Sequence, residues 1–186
     1  MQKINLGPKG FAYPMPMALV GAMVKDKPNF LAVAWVSRVN MNPPIMAIAL
    51  GRSGYTLSGI EHNKTFSINF PGADLIEETD YCGIYSGEQK DKSNLFKVFY
   101  GDLKTAPMIA ECPVTLECKL LNKVELPTSN LYLGEVTSTY SEERYLTGGK
   151  PDLSKMHSFV FSQKDNNYWR IGHHIGKAWE IGKALK

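Results

Sequence analysis

The chain has 186 residues, of which 44% are hydrophobic and 21% are charged, and its formal net charge is +3. This length and composition predict one globular domain spanning residues 1–186, and the weak net charge argues against nucleic acid as the main partner. We expect a cytoplasmic protein, because no segment approaches the roughly 18 consecutive apolar residues of a membrane helix and the first residues lack the continuous apolar region of a secretion signal.

The first third of the chain predicts β-strands joined by turns. Residues 17–24 and 31–39 are apolar runs on either side of the turn sequence "KDKPN", so they predict a β-hairpin. The loop "NMNPP" then leads into "IMAIAL", which predicts a short buried strand.

Two helices and one strand are predicted in the middle of the chain. Thr56 is a candidate N-cap for a helix that runs to about Asn63. The alternating sequence "TFSINF", residues 65–70, predicts a strand. Residues 73–85 combine helical spacing of apolar residues with acidic residues in the first turns, which indicates a second helix.

The last third predicts a second hairpin followed by a helix. The runs "VTLECKLLNKVEL" and "LYLGEVTSTY" are rich in β-branched residues and are separated by the polar sequence "PTSN". Residues 171–185 place apolar side chains on one helical stripe, but the glycines among them require packing against the body or a second chain. Many strands with few helices predict a mainly β fold, a closed barrel with helices at its edges.

The cysteines and histidines indicate neither disulfides nor a metal site. Cys82, Cys112 and Cys118 are odd in number and lack CxxC spacing, so we expect reduced structural thiols. His173 and His174 are adjacent, and neighbouring side chains on a helix point about 100° apart, which does not suit a shared ion.

The stretch "GRSGYT", residues 51–56, has the composition of an anion-binding loop. Gly51 lets the backbone approach a ligand, Arg52 carries a permanent planar charge, and Ser53 and Thr56 supply hydroxyl groups. A helix beginning near Thr56 would direct its free N–H groups and positive dipole end to the same place. Taken alone, the stretch is more often a solvated turn, and the P-loop pattern is absent.

A second loop, "SGEQKDK" at residues 86–92, repeats this composition. It combines Ser86, Gly87 and Lys92, and the lysine would add a mobile charge to a bound phosphate. The alternative is a surface loop, since single lysines usually lie in solvent.

The strand segment "AWVSRV" offers a place for a flat aromatic ligand. Trp35 and Ser37 should face the opposite side of the strand from Val36 and Arg38. A flat ligand needs strand backbone to donate and accept along its edge, with apolar walls on its faces.

Together these segments resemble the flavin reductase-like proteins, which have an FMN-binding split β-barrel. The resemblance covers nearly the whole chain and is carried by "YPMPMALVGA", "NFLAVAWVS", "NPPIMAIAL" followed by "GRSGYT", "FSINFP" and "CGIYSGEQKDK". It continues through "LYLGEV", "YLTGGKPD" and "YWRIGHHIGKAWEIGKALK". No single motif is decisive, whereas their ordered set is fairly specific.

The resemblance implies a Greek-key split barrel with a few peripheral helices, forming a homodimer that binds FMN at or near the dimer interface. The strand that contacts the flavin in the family matches Ala34, Trp35, Val36 and Ser37. The segment that holds the phosphate end matches Leu50, Gly51, Arg52 and Ser53, with Thr56. The loop whose lysine reaches the phosphate matches Ser86, Gly87 and Lys92.

The chain departs from the family pattern in two places. Relatives often have a histidine shortly before "GEV", where Ser129 or Asn130 stands here. Relatives also commonly have a proline where this chain has "KMHSFVF", and we expect no chemical role for His157. We likewise expect Cys82, Tyr168 and Trp169 to serve packing rather than chemistry.

The resemblance implies an NAD(P)H-dependent FMN oxidoreductase, in which the flavin carries the chemistry and no acid–base side chain is required. The alternative is an FMN-holding electron carrier that receives electrons from a redox partner protein and has no nicotinamide site. A third possibility is a ligand-free interaction domain. The sequence does not separate these, because split barrels bind nicotinamide without a dinucleotide fingerprint.

Overall fold

The structure, a computed structural model, describes residues 1–185. The strands are β1 (Met15–Pro16), β2 (Ala18–Val24), β3 (Lys27–Val33), β4 (Val36–Asn40), β5 (Ile45–Gly51), β6 (Thr65–Phe70), β7 (Val98–Phe99), β8 (Met108–Ile109), β9 (Val114–Glu125), β10 (Ser129–Tyr140), β11 (Leu146–Thr147), β12 (Lys150–Pro151), β13 (Phe159–Ser162) and β14 (Asn167–Arg170). The α-helices are α1 (Tyr55–Asn63), α2 (Ile76–Ile84) and α3 (Leu153–Met156), and short 3-10 turns lie at Ala73–Leu75, Glu143–Tyr145 and Ile181–Ala184. The mainly β prediction is confirmed.

One antiparallel sheet of seven strands organises the molecule, in the order β3-β2-β6-β9-β10-β5-β4. Its long central hairpin, β9–β10, contains two register shifts, and such bulges increase the local twist and bend of a sheet. The main apolar core joins the inner face of the sheet to α1, with Ile60, Phe66 and Tyr132 fully buried. Gly134 leaves room for the ring of Phe66, which a Cβ at that position would strike.

A second core lies between β2, β3 and α2. It contains Leu19, Phe30 and Cys82, together with residues of the segment that follows α2. All three cysteines are free and buried, and burial raises the pKa of the Cys82 thiol to about 11. This burial fits the structural role expected of the cysteines, and their reduced state stays a prediction.

The predicted first hairpin forms, but its second strand is interrupted. A two-residue turn with positive φ at Lys25 and Asp26 joins β2 to β3, as in the tight turns that match the twist of a hairpin. The chain leaves the strand conformation at Ala34 and Trp35 and then enters β4, which pairs with β5. The single strand predicted for residues 31–39 is therefore wrong, because its two halves pair with different neighbours.

The helix predicted for residues 171–185 is also wrong. The segment runs without regular structure until the short 3-10 turn at Ile181–Ala184. Its apolar side chains are exposed, with Ile175 at 96% and Trp179 at 92%, so the stripe has no surface of its own chain to pack against. Three glycines in the segment further disfavour an unsupported helix. In addition, no helix among residues 1–185 is long and apolar enough to cross a membrane.

Candidate functional site

The end of β5, the start of α1 and the segment after α2 enclose a cavity of about 330 Å³. Six of the residues predicted for the site line it: Gly51, Ser53, Thr56, Ser86, Gly87 and Lys92. We call this cavity the cradle. Two loops that are distant in sequence are therefore brought together, as the shared composition of the two loops suggested.

The N-terminus of α1 faces the cradle, because Gly54, Tyr55, Thr56 and Leu57 all line the cavity. The N-cap is Gly54, with φ 157° and ψ 155°, a conformation that is almost restricted to glycine, and no side chain caps the helix. The first N–H groups of a helix have no partner within it, so they remain available to a ligand. Thr56 is thus not the cap that the sequence predicts, but a buried residue of the first turn.

Thr56 is held from the side by Asn29, which sequence reasoning missed. Asn29 lies on β3, and its Nδ2 donates to Thr56 Oγ1 at 2.7 Å. Both side chains are buried, with 3% and 4% exposure. Only the packing of β3 against α1 creates this contact, so no local motif could have revealed it.

Lys92 is buried, with 2% exposure, so the alternative of a solvated surface lysine is wrong, and its charge is held in the protein rather than mobile. Its Nζ donates to the carbonyl oxygens of Phe30 at 3.0 Å and Cys82 at 3.2 Å. Within residues 1–185 no carboxylate lies at ion-pair distance from it. Burial lowers the pKa of Lys92 from its ordinary value, because desolvation disfavours the charged amine. The cradle therefore has an ammonium group in its wall without a counter-charge.

The loop that precedes Lys92 is fastened on its outer side by an exposed ion pair. Lys27 Nζ lies 2.7 Å from Asp91 Oδ2, and this lysine holds the pKa of the Asp91 carboxyl well below its usual range. On the inner side, Gly87 fits closely against Asn29 and Tyr55. A Cβ at Gly87 would collide with the Asn29 amide and come within 2.7 Å of Tyr55 Cδ1.

The remaining predicted residues lie outside the cradle wall. Leu50 is buried in the main core, and Arg52 is exposed, its Nη1 donating to the Pro127 carbonyl at 3.4 Å. Residues 34–37 lie beside β5, where Ala49 N donates to the Trp35 carbonyl at 2.9 Å. Since β5 rises about 3.3 Å per residue, this segment is roughly 10 Å from the start of the cradle. Trp35 is 49% exposed and Val36 is buried, but Ser37 and Arg38 are both exposed, so the predicted alternation does not extend along β4.

Ser129 and Asn130, where relatives often have a histidine, lie beside the end of β5 that leads into the cradle. Ser129 pairs with Gly51, and Asn130 pairs with Leu50. Asn130 is 2% exposed, and its Oδ1 has no hydrogen-bond partner among the described residues. His157 ends α3 in the left-handed conformation, and the expectation that it has no chemical role stays a prediction.

Tyr168 and Trp169, near the C-terminus, differ in how far they are buried. Tyr168 is half-buried between Phe159 and Phe161, and its hydroxyl donates to Asp80 Oδ1 at 2.8 Å. Burial and this carboxylate raise the pKa of Tyr168 to about 12. Trp169 is 56% exposed, so the expected packing applies to the tyrosine but not to the tryptophan.

Three larger cavities lie elsewhere on the molecule. One of about 670 Å³ is formed by α3 and the C-terminal segment, one of about 450 Å³ lies between the β2–β3 turn and the C-terminal half of α1, and one of about 430 Å³ lies between β8 and the end of β10. None of the three combines a helix N-terminus with a buried, uncompensated lysine. In residues 1–185 no group of histidine, cysteine and acidic side chains is arranged to hold a metal ion. The chemistry that the cradle supports is the binding of an anion by N–H, hydroxyl and ammonium donors.

The comparisons with known proteins agree on one family. The family model described as "Flavin reductase like domain" matches residues 11–151. The structure is similar to flavoredoxin from Methanosarcina acetivorans, with 49% identity, 100% coverage of both chains and a TM-score of 0.97. It is also similar to flavoredoxin of Desulfovibrio vulgaris (Miyazaki F), with 32% identity, coverage of 97% and 100%, and a TM-score of 0.90. The uncharacterized protein YddH of Escherichia coli is 32% identical over 80% of this chain and 75% of its own length.

A more distant likeness concerns the fold alone. An FMN-binding protein from Thermus thermophilus shares 21% identity, with coverage of 95% and 98% and a TM-score of 0.81. These similarities confirm the split-barrel fold that the sequence motifs imply.

Proposed function

The chain belongs to the flavin reductase-like family, a family of flavin-binding redox proteins, and from that premise we propose that it is an FMN-dependent oxidoreductase of the flavoredoxin type. The observation that carries the choice of FMN is the cradle, in which a helix N-terminus, a buried hydroxyl and a buried ammonium converge. A phosphate group satisfies all three donors at once. FMN has this phosphate and riboflavin does not.

The phosphate of FMN would be held by Thr56, the first N–H groups of α1 and Lys92, with Ser53 and Ser86 at the cavity mouth. When bound, FMN supplies the hydride and electron transfer for which protein side chains have no equivalent. The protein's part is to bind and orient it, which fits a site without a nucleophile–base pair.

The flavin ring would lie along residues 34–37, beside the strand that leads into the cradle. β4 is an edge strand of the main sheet, so its outer backbone groups are not used by a further strand. Trp35 adds an exposed apolar surface next to them. Edge backbone with an apolar neighbour suits the rim and face of a flat heterocycle.

We also propose that the protein is a homodimer in the cytoplasm. Ile171, Ile175, Trp179, Ile181 and Leu185 are all exposed in one C-terminal segment, and an apolar surface of this kind marks an interaction site. Three free, buried thiols suit a reducing compartment. Light scattering of the full chain and of a chain ending at Arg170 tests the dimer: we expect the full chain alone to dimerise, and a monomeric full chain would contradict the proposal.

The function is tested by anaerobic reduction. The protein is loaded with FMN, NADH or NADPH is added, and the visible absorbance of the flavin is followed against free FMN. Bleaching faster than in the free flavin supports a nicotinamide-dependent reductase. A bound flavin that both nucleotides leave oxidised supports the carrier alternative, with electrons supplied by a partner protein. A protein that does not retain FMN contradicts both.

A further inference from the structure

We infer that Asn29 is a positioning residue that turns the Thr56 hydroxyl into a donor toward the flavin phosphate, and thereby sets the preference for FMN over riboflavin. This inference rests on the proposed function, since it concerns the same cavity. It assigns a role to a residue on β3 that belongs to neither of the two loops of the cradle.

The orientation of the Asn29 amide follows from its surroundings. Its nitrogen lies 2.7 Å from Thr56 Oγ1, and its oxygen lies against Gly87, where a Cβ would collide with it. An amide oxygen suits the hydrogens on a glycine Cα, whereas an NH₂ group would meet them hydrogen to hydrogen. The contact with Gly87 therefore fixes which end of the amide faces Thr56, and Asn29 donates.

A hydroxyl group has one hydrogen to donate and two lone pairs that accept. Because Thr56 Oγ1 accepts from Asn29, its own hydrogen remains free for another acceptor. A threonine inside a helix commonly donates to the carbonyl four residues earlier, as Thr79 does to the Leu75 carbonyl at 2.7 Å. Thr56 stands in the first turn of α1 and makes no such bond to the described residues, so its hydrogen is available to the cradle.

The direction of the hydrogen bond from Asn29 to Thr56 discriminates between FMN and riboflavin. A phosphate dianion has only acceptor oxygens, so it requires donors from every neighbour. Riboflavin ends in a hydroxyl, which both donates and accepts and is therefore indifferent to the direction of the Thr56 hydroxyl. Asn29 thus acts on the phosphate through Thr56, and its removal should weaken FMN binding much more than riboflavin binding.

The test compares dissociation constants for FMN and riboflavin, measured by quenching of flavin fluorescence. Asn29→Ala and Thr56→Val should each weaken FMN binding by roughly 10- to 100-fold, the worth of one charge-assisted hydrogen bond, and riboflavin binding by less than about threefold. We call the riboflavin dissociation constant divided by the FMN dissociation constant the FMN-to-riboflavin ratio, which is larger the more the protein prefers FMN. The double variant should have the same ratio as Thr56→Val alone, because Asn29 has no effect without the hydroxyl. Asn29→Asp, nearly isosteric, places an acceptor beside Thr56 and should likewise weaken FMN binding more than riboflavin binding.

The matched control is Asn63→Ala. Asn63 also ties α1 to β2, through a bond from its Nδ2 to the Met23 carbonyl at 2.8 Å, but at the far end of the helix. It should lower the melting temperature without changing the FMN-to-riboflavin ratio.

Different outcomes would overturn the proposed function and the role of Asn29. Wild-type protein that binds neither flavin would overturn the proposed function and the inference with it. Wild-type protein that prefers FMN, combined with an Asn29→Ala variant that keeps the wild-type ratio, would overturn the inference alone. So would an Asn29→Ala effect on the ratio that persists undiminished in the Thr56→Val background.

Discussion

Lys92 has two roles: its hydrogen bonds stabilise the fold, and its charge lies in the wall of the cradle. Replacement of Lys92 by methionine tests the two roles separately. Lys92 Nζ donates to the carbonyls of Phe30 and Cys82, and the latter belongs to the last turn of α2, where carbonyls lack helical partners. A buried carbonyl left without a donor costs about 1–3 kcal/mol. Two such carbonyls lose their donor, and relief of the desolvated charge offsets part of the combined cost, so we expect Lys92→Met to lower the free energy of unfolding by about 1–3 kcal/mol.

The assay is urea unfolding of flavin-free protein, with Lys90→Met as the matched control. Lys90 lies exposed in the same loop, so its replacement should change the free energy of unfolding by less than about 0.5 kcal/mol. Lys92→Met should also reduce FMN binding more strongly than riboflavin binding. Unchanged stability in the flavin-free Lys92→Met protein would refute the argument that the amine holds β3 to α2.

The difference in unfolding free energy between wild type and Lys92→Met depends on pH. The pKa of Lys92 is lowered by burial from its ordinary value of 10.5, so between the folded and unfolded values the folded protein binds fewer protons. The stability that Lys92 contributes is therefore lost as pH falls through its folded pKa and is recovered as pH rises toward 10.5. We expect the deficit of Lys92→Met, measured against wild type, to be larger at pH 10 than at pH 7.

Three further outcomes follow from packing and burial. Burial raises the pKa of all three thiols, so native protein should resist alkylation by iodoacetamide at pH 8.5, whereas urea-unfolded protein should react at all three sites; rapid labelling of the native chain would contradict this. Gly87→Ala should displace the loop and weaken FMN binding at least about tenfold, whereas Gly10→Ala, whose Cβ would meet nothing within 4 Å and which lies outside the cradle, should bind FMN as wild type does. Tyr132→Phe removes the 2.7 Å bond to Glu61 on α1 and should lower the free energy of unfolding by about 1 kcal/mol in urea titrations, and an unchanged midpoint would show that this bond is not needed.

The parts of the fold that depend on local periodicity were predictable from the sequence. The helix after "GRSGYT", the helix around residues 76–84 and the hairpin of β9 and β10 form close to where the residue patterns place them. The C-terminal helix does not form, because periodicity records which residues would share a face but not whether a surface exists to cover that face. Its exposed Ile175 and Trp179 show the difference.

The site was predictable where its residues are contiguous and not where they meet through packing. The composition of residues 51–56 and 86–92 indicated donors for an anion, and both loops line one cavity. Asn29 carries no sequence signal, because its contact with Thr56 spans 27 positions and depends on how β3 packs against α1. The sequence identifies Lys92 as a lysine of a polar loop, but its burial depends on the packing of that loop against β3.

The arrangement of the cradle has a thermodynamic consequence for the choice of ligand. Its donors are held by the protein itself: Asn29 holds Thr56, two carbonyls hold Lys92, and the Lys27–Asp91 pair holds the loop. Groups fixed in advance lose little conformational entropy when a ligand arrives, which favours affinity. The cost lies in the folded protein, which keeps an ammonium buried without a carboxylate. An anion removes that cost and a neutral ligand does not. The cradle therefore favours the phosphorylated flavin both because its donors are fixed in advance and because no carboxylate neutralises its ammonium group.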